Sequence, residues 1–220
     1  MAGSTYLNDP DDKGFLMMPK TVFEPSIKSR PTYGVLEHRP GTAHLMVADA
    51  EGAQALLDLA HSAPPTLWTQ AMIVYIPGRS GQQFTQALAN LSPSQLHISP
   101  SYAAAQPRLH KILQTAHAGL QIYLAGTESL MGQAQAAAMA VGVPHRAVQM
   151  EHRGSLARRV QCVHCKGITE NVTTDPFECS HCGLNLFVRD HYSRRIAAFQ
   201  GVNIDAEDPG QVPPAVERFT

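Results

Sequence analysis

The stretch His44–Ala60, HLMVADAEGAQALLDLA, passes from a short apolar run through a bend into an amphipathic segment. Ala53, Leu56, Leu57 and Ala60 recur at helical spacing, so a strand, a turn and a helix follow one another. That order opens a mononucleotide-binding fold, yet Asp49 and Glu51 stand where a phosphate-binding turn carries glycines. Glycines there let backbone N–H groups approach a pyrophosphate with no Cβ in the way. Two carboxylates instead suit the helix dipole themselves and repel a dianion by roughly 1–4 kcal/mol each at short range. The stretch therefore predicts a retained nucleotide-binding scaffold in which the carboxylates act as built-in anions and no nicotinamide cofactor binds.

Working outward, five apolar runs alternate with helix-length segments: HLMVA, MIVYI, LHIS, QIYLA and RAVQM. Phe84, Leu88 and Leu91 share one helical face; Leu109, Ile112, Leu113 and Ala116 share another. A last Ala-rich helix over Ser129–Val141 stops before Gly142 and Pro144. Alternating strands and helices predict an α/β fold with a five-stranded parallel, Rossmann-like sheet covered on both faces, over residues 41–152. Residues 1–40, punctuated by Pro10, Pro19, Pro25, Pro31 and Pro40, read as an extended arm of the kind that lies on a partner. A small module over 153–205 follows, and the acidic, Pro-rich residues 206–220 read as an irregular tail.

The chain has 220 residues, 44% of them hydrophobic, and a formal net charge of −1. Such a balance lacks the electrostatic footprint of a nucleic-acid binder. No apolar run reaches the roughly 20 residues that span a bilayer, and the N-terminal stretch lacks the charge and apolar pattern of a signal peptide, so a cytoplasmic protein with no membrane partner is expected.

All four cysteines lie in the last third, as Cys162 and Cys165 in CVHCKG and Cys179 and Cys182 in CSHCG. Paired C-x-x-C units at this separation wrap thiolates round one cation, and a glycine shortly after each pair eases the turn. Zinc is the expected occupant of such a four-thiolate site, with a mononuclear iron held in the rubredoxin manner as the alternative, since tetrahedral thiolate geometry suits both. The module is accordingly a zinc ribbon or a rubredoxin-like unit. His164 and His181, inside the knuckles, are expected to face solvent or donate to sulfur. Beyond them, Arg189, Asp190, His191, Tyr192, Ser193, Arg194 and Arg195 crowd one short span. Arg189, His191, Arg194 and Arg195 are candidates for hydrogen-bonded ion pairs to a partner or a cofactor phosphate.

LMVADAEGAQALLDLA and QIYLAGTESLMGQAQAAAMAVGVPHRAVQMEH resemble the nicotinamide-binding domain of the ferredoxin reductase family, in its phthalate dioxygenase reductase-like branch. Ala125, Gly126 and Thr127 replace that family's Cys-Gly-Pro, which removes the cysteine beside the nicotinamide. The knuckles with the continuation RDHYSRR and FQGV resemble the small subunit of dimethylamine monooxygenases, also met in heme-dependent oxidative N-demethylase complexes. This second resemblance implies a non-catalytic accessory subunit of a multi-component, NADPH-dependent enzyme that oxidises dimethylamine to methylamine and formaldehyde. It implies a heme-containing monooxygenase subunit and a reductase subunit carrying flavin (FMN) and [2Fe-2S] as partners, those groups lying on them and not on this chain. The alternatives are a rubredoxin-like electron-transfer subunit of the same complex and a free-standing NAD(P)H-dependent reductase.

Overall fold

A computed structural model describes residues 30–116 and 118–220. The first sheet comprises β1 (Ala43–Asp49), β2 (Ala71–Ile76), β3 (Gln95–Ile98), β4 (Leu120–Gly126) and β5 (Val148–His152). All its pairings are parallel, in the order β3-β2-β1-β4-β5. Helices α1 (Gly52–Ala60), α2 (Thr66–Thr69), α3 (Phe84–Asn90), α4 (Tyr102–Gln114) and α5 (Glu128–Ala140) connect the strands. Alternation along β1 sorts the core: Leu45 and Val47 pack with α4 and α5, Met46 and Ala48 with α1 and α3. The five-stranded parallel sheet expected from the sequence is thus present. Its last strand begins two residues later than the RAVQM run, because His145–Ala147 form a 3-10 turn first.

Gly52 and Gly126 hold α1 and α5 against the strand ends. A Cβ on Gly52 would meet the Ala125 carbonyl oxygen at 2.3 Å, so α1 begins in backbone contact with β4. Gly126 has a φ of +122°, which a side-chain-bearing residue rarely adopts.

The second sheet, in the order β7-β6-β11-β10-β9, is built from β6 (Arg158–Cys162), β7 (Ile168–Val172), β9 (Phe177–Glu178), β10 (Asn185–Ser193) and β11 (Ala198–Asn203). Its core is small: Val160, Val172, Phe177, Leu186, Phe199 and Phe219 surround the buried Cys162 and Cys179. The tail over 206–220 is irregular apart from one two-residue strand, but it is anchored at its end. β12 (Val216–Glu217) pairs antiparallel with β8 (Thr174–Asp175), and Phe219, 6% exposed, enters the core.

The arm differs from expectation too, as far as it is described. Over residues 30–40 it runs along β5 of its own chain: Gly34 N–H donates to the Met150 carbonyl at 2.9 Å, and Leu36 N–H to Glu151 Oε2 at 2.7 Å. The Gln149 side chain exchanges two hydrogen bonds with the Glu37 backbone, mimicking a ladder rung. The open edge of β5 is blunted in this way by the chain itself. Residues 1–29 of the expected arm lie outside the described residues.

Candidate metal centre

Each knuckle is a tight turn closed by the backbone. Lys166 N–H donates to the Cys162 carbonyl and Gly183 N–H to the Cys179 carbonyl, both at 3.0 Å. Cys162 N–H donates to the Gly167 carbonyl and Cys179 N–H to the Leu184 carbonyl, both at 2.9 Å. The residue after the second cysteine is left-handed in both turns: Lys166 at φ +63° and Gly183 at φ +73°. Gly183 therefore meets the sequence reading, whereas Gly167 answers a different need. A Cβ on Gly167 would lie 2.4 Å from the His181 ring, so this glycine lets the two knuckles approach.

Their approach brings all four Sγ atoms within 4.8 Å of one another. Cys162 and Cys182 sulfurs are 3.9 Å apart, Cys165 and Cys179 sulfurs 3.8 Å. A tetrahedron with metal–sulfur bonds of about 2.3 Å has edges of about 3.8 Å, so these two pairs already match the edges of a zinc- or iron-sized four-thiolate site. Four such donors leave no open coordination position. Cys162 and Cys179 are buried, Cys165 and Cys182 exposed.

The protonation of the thiols shows what a cation would do. Burial pushes the Cys179 thiol up, but N–H groups of His181 and Cys182 and the neighbouring thiols outweigh it and bring it down to about 6. The Leu184 N–H favours the Cys182 thiolate, yet burial and the three other sulfurs hold that thiol up at about 12. Without a cation, the cluster resists holding four negative charges; a divalent metal removes that resistance. Gly167 N–H also points at Cys165 Sγ, at 3.4 Å. His181 is exposed and its Nε2 donates to the Ile168 carbonyl at 2.9 Å rather than to sulfur; His164 is exposed.

The arginine-rich span forms the end of β10 and the turn into β11. A register shift between Arg189 and Tyr192 exposes three consecutive residues, Arg189, Asp190 and His191, as β-bulges do. Asp190 accepts from Arg30 and Arg158, so it clamps the arm to the second sheet. Arg158 in turn lies flat between two rings, its guanidinium carbon 4.0 Å from the Phe199 centroid and 4.2 Å from that of Phe219. Arg189, His191, Arg194 and Arg195 are exposed, and none joins the ion pairs formed among the described residues. They are not drawn into the cysteine cluster.

Sequence reasoning missed two features, one tying the arm to α5 and one seating the second sheet's hairpin on α5. Tyr33 of the arm donates to Glu128 Oε2 at 2.6 Å, and burial, then Glu128, push its hydroxyl far above the ordinary tyrosine range. Gly132 of α5 lies under the β10–β11 hairpin: a Cβ there would sit 2.1 Å from the Tyr192 hydroxyl and 3.0 Å from Ala197 Cβ. A glycine in an Ala-rich helix was the one legible sign of that contact.

The strand order reverses between β1 and β4, where α/β folds bind ligands outside the carboxyl ends. Asp49 reaches across that point. Its two oxygens accept from Thr127 N–H at 2.8 Å and Thr127 Oγ at 2.6 Å. The carboxylate thus serves the start of α5, not α1 as the sequence implied, and Glu51, at the start of α1, makes no side-chain cap. Gly126 is glycine for the same reason, since a Cβ would fall 1.8 Å from Asp49 Oδ1. Burial pushes the Asp49 carboxyl up, and the Thr127 hydrogen bonds counter it.

Comparison with known proteins adds three findings. Profiles of the N-terminal and C-terminal domains of the DmmA-like dimethylamine monooxygenase subunits match residues 25–148 and 159–202. The delta subunit of a heme-dependent oxidative N-demethylase from Ectopseudomonas mendocina (strain ymp) is 35% identical over 138 residues, 60% of this chain and 79% of that subunit. Among solved structures, phthalate dioxygenase reductase, described as a modular structure for electron transfer from pyridine nucleotides to [2Fe-2S], aligns with 13% identity and a TM-score of 0.43. The alignment covers 65% of this chain and 47% of that reductase.

Proposed function

Because this chain belongs to the DmmA-like family of dimethylamine monooxygenase subunits, we propose that it is a non-catalytic accessory subunit of a multi-component, NADPH-dependent dimethylamine monooxygenase. Its relative's name, a subunit of a heme-dependent oxidative N-demethylase, supports assembly into such a complex. In this reading heme sits on a monooxygenase subunit, FMN and [2Fe-2S] sit on a reductase subunit, and the complex works in the cytoplasm. No helix among the described residues is long and apolar enough to cross a membrane.

The observation that carries the reading is the closed sulfur tetrahedron. Cys162, Cys165, Cys179 and Cys182 hold a zinc ion that supplies no redox chemistry and no open position for substrate. Its work is to cross-link a sheet whose core is too small to hold itself; structural zinc contributes on the order of 10–16 kcal/mol in finger peptides. The 153–205 unit then presents Arg189, His191, Arg194 and Arg195, which join no ion pair among the described residues, to a partner subunit. Arginine forks suit such contacts because they bind carboxylates or phosphates in a bidentate manner.

One observation favours a second reading. The exposed Cys165 and Cys182 would bring a bound iron's sulfur edge to the surface, as a rubredoxin-like electron relay requires. Co-expression of the chain with the heme and reductase subunits separates the two. The accessory reading expects a zinc-bearing chain without visible absorption that co-purifies with both partners. The relay reading expects a red iron chain whose removal starves the heme of electrons. The double variant Arg189→Glu/Arg194→Glu is expected to weaken co-purification at least tenfold with metal content unchanged; undiminished assembly returns these arginines to an ordinary solvated surface.

A further inference from the structure

Two clefts in the α/β half share a wall. One, of 610 Å³, opens at the carboxyl ends of β1 and β2, between α4, α5 and residues Arg159, Glu170 and Asn171 of the second sheet. The other, of 260 Å³, is a trough between α4 and α5 that the hairpin turn Arg195–Ala197 closes. Tyr102, Gln106 and Gln133 line both, so together they form one elongated groove. Tyr102, Gln106 and His110 follow one another at i, i+4 and i+8, which lays them along a single face of α4.

Charge runs unevenly along this groove. At the sheet end, the carboxylates are already engaged, Asp49 by Thr127 and Glu170 by Arg159 and Ser129. The two helix starts there are closed as well: Ser101 Oγ accepts from Ala104 N–H and Thr127 Oγ from Leu130 N–H. An anion gains nothing at that end and meets two carboxylates. At the hairpin end stand Arg195 and His110, and no carboxylate lines the trough among the described residues. Between the ends, the Tyr102 hydroxyl and the Gln106 amide offer neutral donors and acceptors beside the apolar Ile76 and Leu130, and Gln133, whose Nε2 donates to the Ser129 carbonyl and hydroxyl, adds its amide oxygen as an acceptor. The Tyr102 hydroxyl and Gln106 amide bond to no other described residue.

We propose that this groove binds a nucleoside monophosphate, its phosphate at Arg195 and His110 and its uncharged base toward Tyr102, Gln106 and Gln133. A heteroaromatic base has the donor and acceptor edges that a hydroxyl, the Gln106 amide and the Gln133 amide oxygen can read, and the larger cleft falls within the roughly 300–1,000 Å³ usual for small-molecule sites. The polarity is the reverse of the nucleotide-binding mode of this fold, in which phosphate sits on the β1–α1 turn. A dinucleotide laid in that usual sense would carry its pyrophosphate against Asp49. The site shares Arg195 with the surface assigned above to a partner subunit, so it is tested on the isolated chain, which carries it whatever its partners.

The test is amide-resolved NMR titration of the purified full chain with the four ribonucleoside monophosphates, alongside adenosine alone and inorganic phosphate alone. At least one monophosphate should shift amides of Tyr102–His110, Gln133–Ala140 and Arg195, and bind at least tenfold more tightly than either fragment. Arg195→Glu should weaken that binding at least tenfold, and Ala140→Phe, at an exposed position on the trough wall, should block it; both leave the remaining spectrum in place. Three outcomes overturn the proposal: no saturable shift with any monophosphate at millimolar concentration, phosphate alone binding as tightly as the nucleotides, or shifts centred on Asp49–Ala53 instead.

Discussion

The two sheets of this chain are held by different means. In the parallel sheet, β1 is buried from His44 to Ala48, and large apolar side chains fill both faces, among them Tyr75, Tyr123, Leu56 and Leu109. Burial of this kind contributes roughly 1.5–3 kcal/mol for each large side chain and needs no cross-link. The second sheet has a single core on which few large side chains converge, and two of its buried members are cysteines that also face the sulfur cluster. Small units of this sort need a staple. In the proposed reading the contrast separates a half that burial sustains from one that a metal would sustain, and substitutions can be aimed at either.

The largest effect falls on the metal. Cys179→Ser replaces a buried thiolate with a poor ligand, leaving three donors and an unpaired hydroxyl. The second sheet should lose metal and unfold while the parallel sheet persists. Hydrogen exchange resolves the two: amides of β6, β10 and β11 should lose protection and those of β1 and β4 keep theirs. Loss of protection throughout would mean that the halves fold as one unit and would erase the contrast.

Next comes the seam. Gly132→Val places a branched side chain where Tyr192 and Ala197 already sit, so the hairpin must shift from α5. Overpacking of this kind costs about 1–3 kcal/mol, visible as a lowered unfolding midpoint with metal content unchanged. A midpoint shift no larger than that of a surface control would show that the hairpin makes no energetic contact with α5.

The same contrast explains what could be read from sequence. Hydrophobic periodicity locates β1 through β4 and the longer helices because it records local burial, and Cys-x-x-Cys pairs record a ligand set. Asp49 marks the limit. Its position in the β1–α1 turn pointed to the helix that follows, but its partner, Thr127, is 78 residues away and chosen by the strand order. Phe219 was hidden likewise: a Pro-rich tail gives no periodicity, and its burial depends on the ring–Arg158–ring stack assembled from three distant segments. The arm's attachment rests on hydrogen bonds to β5, which extended backbone makes without any sequence signature.

Asp49 also yields a pH signature confined to the parallel sheet. Burial raises its carboxyl in the folded state above the unfolded value, so the native state holds the proton more tightly. Its contribution to stability is full below the unfolded pKa and is lost as pH rises through the folded one. Asp49→Asn abolishes that titration, so the variant's unfolding midpoint should decline less than the parent's as pH rises from the ordinary carboxylate range. Parallel slopes for both proteins would mean that the Thr127 hydrogen bonds fully offset the burial.

The smallest effect is expected where the arm meets the second sheet. Asp190 is about half exposed, as is Arg30, and pairs of that kind contribute about 0.2–1 kcal/mol. Asp190→Ala removes its contacts to Arg30 and Arg158 among the described residues, yet leaves Arg158 between Phe199 and Phe219 and Tyr33 on Glu128. The unfolding midpoint should therefore hardly move, while amide exchange quickens at Gly34 and Leu36, whose bonds to β5 lie next along the strap. A drop as large as that of Gly132→Val would show the clamp, rather than the α5 seam, to be what joins the burial-sustained half to the metal-sustained one.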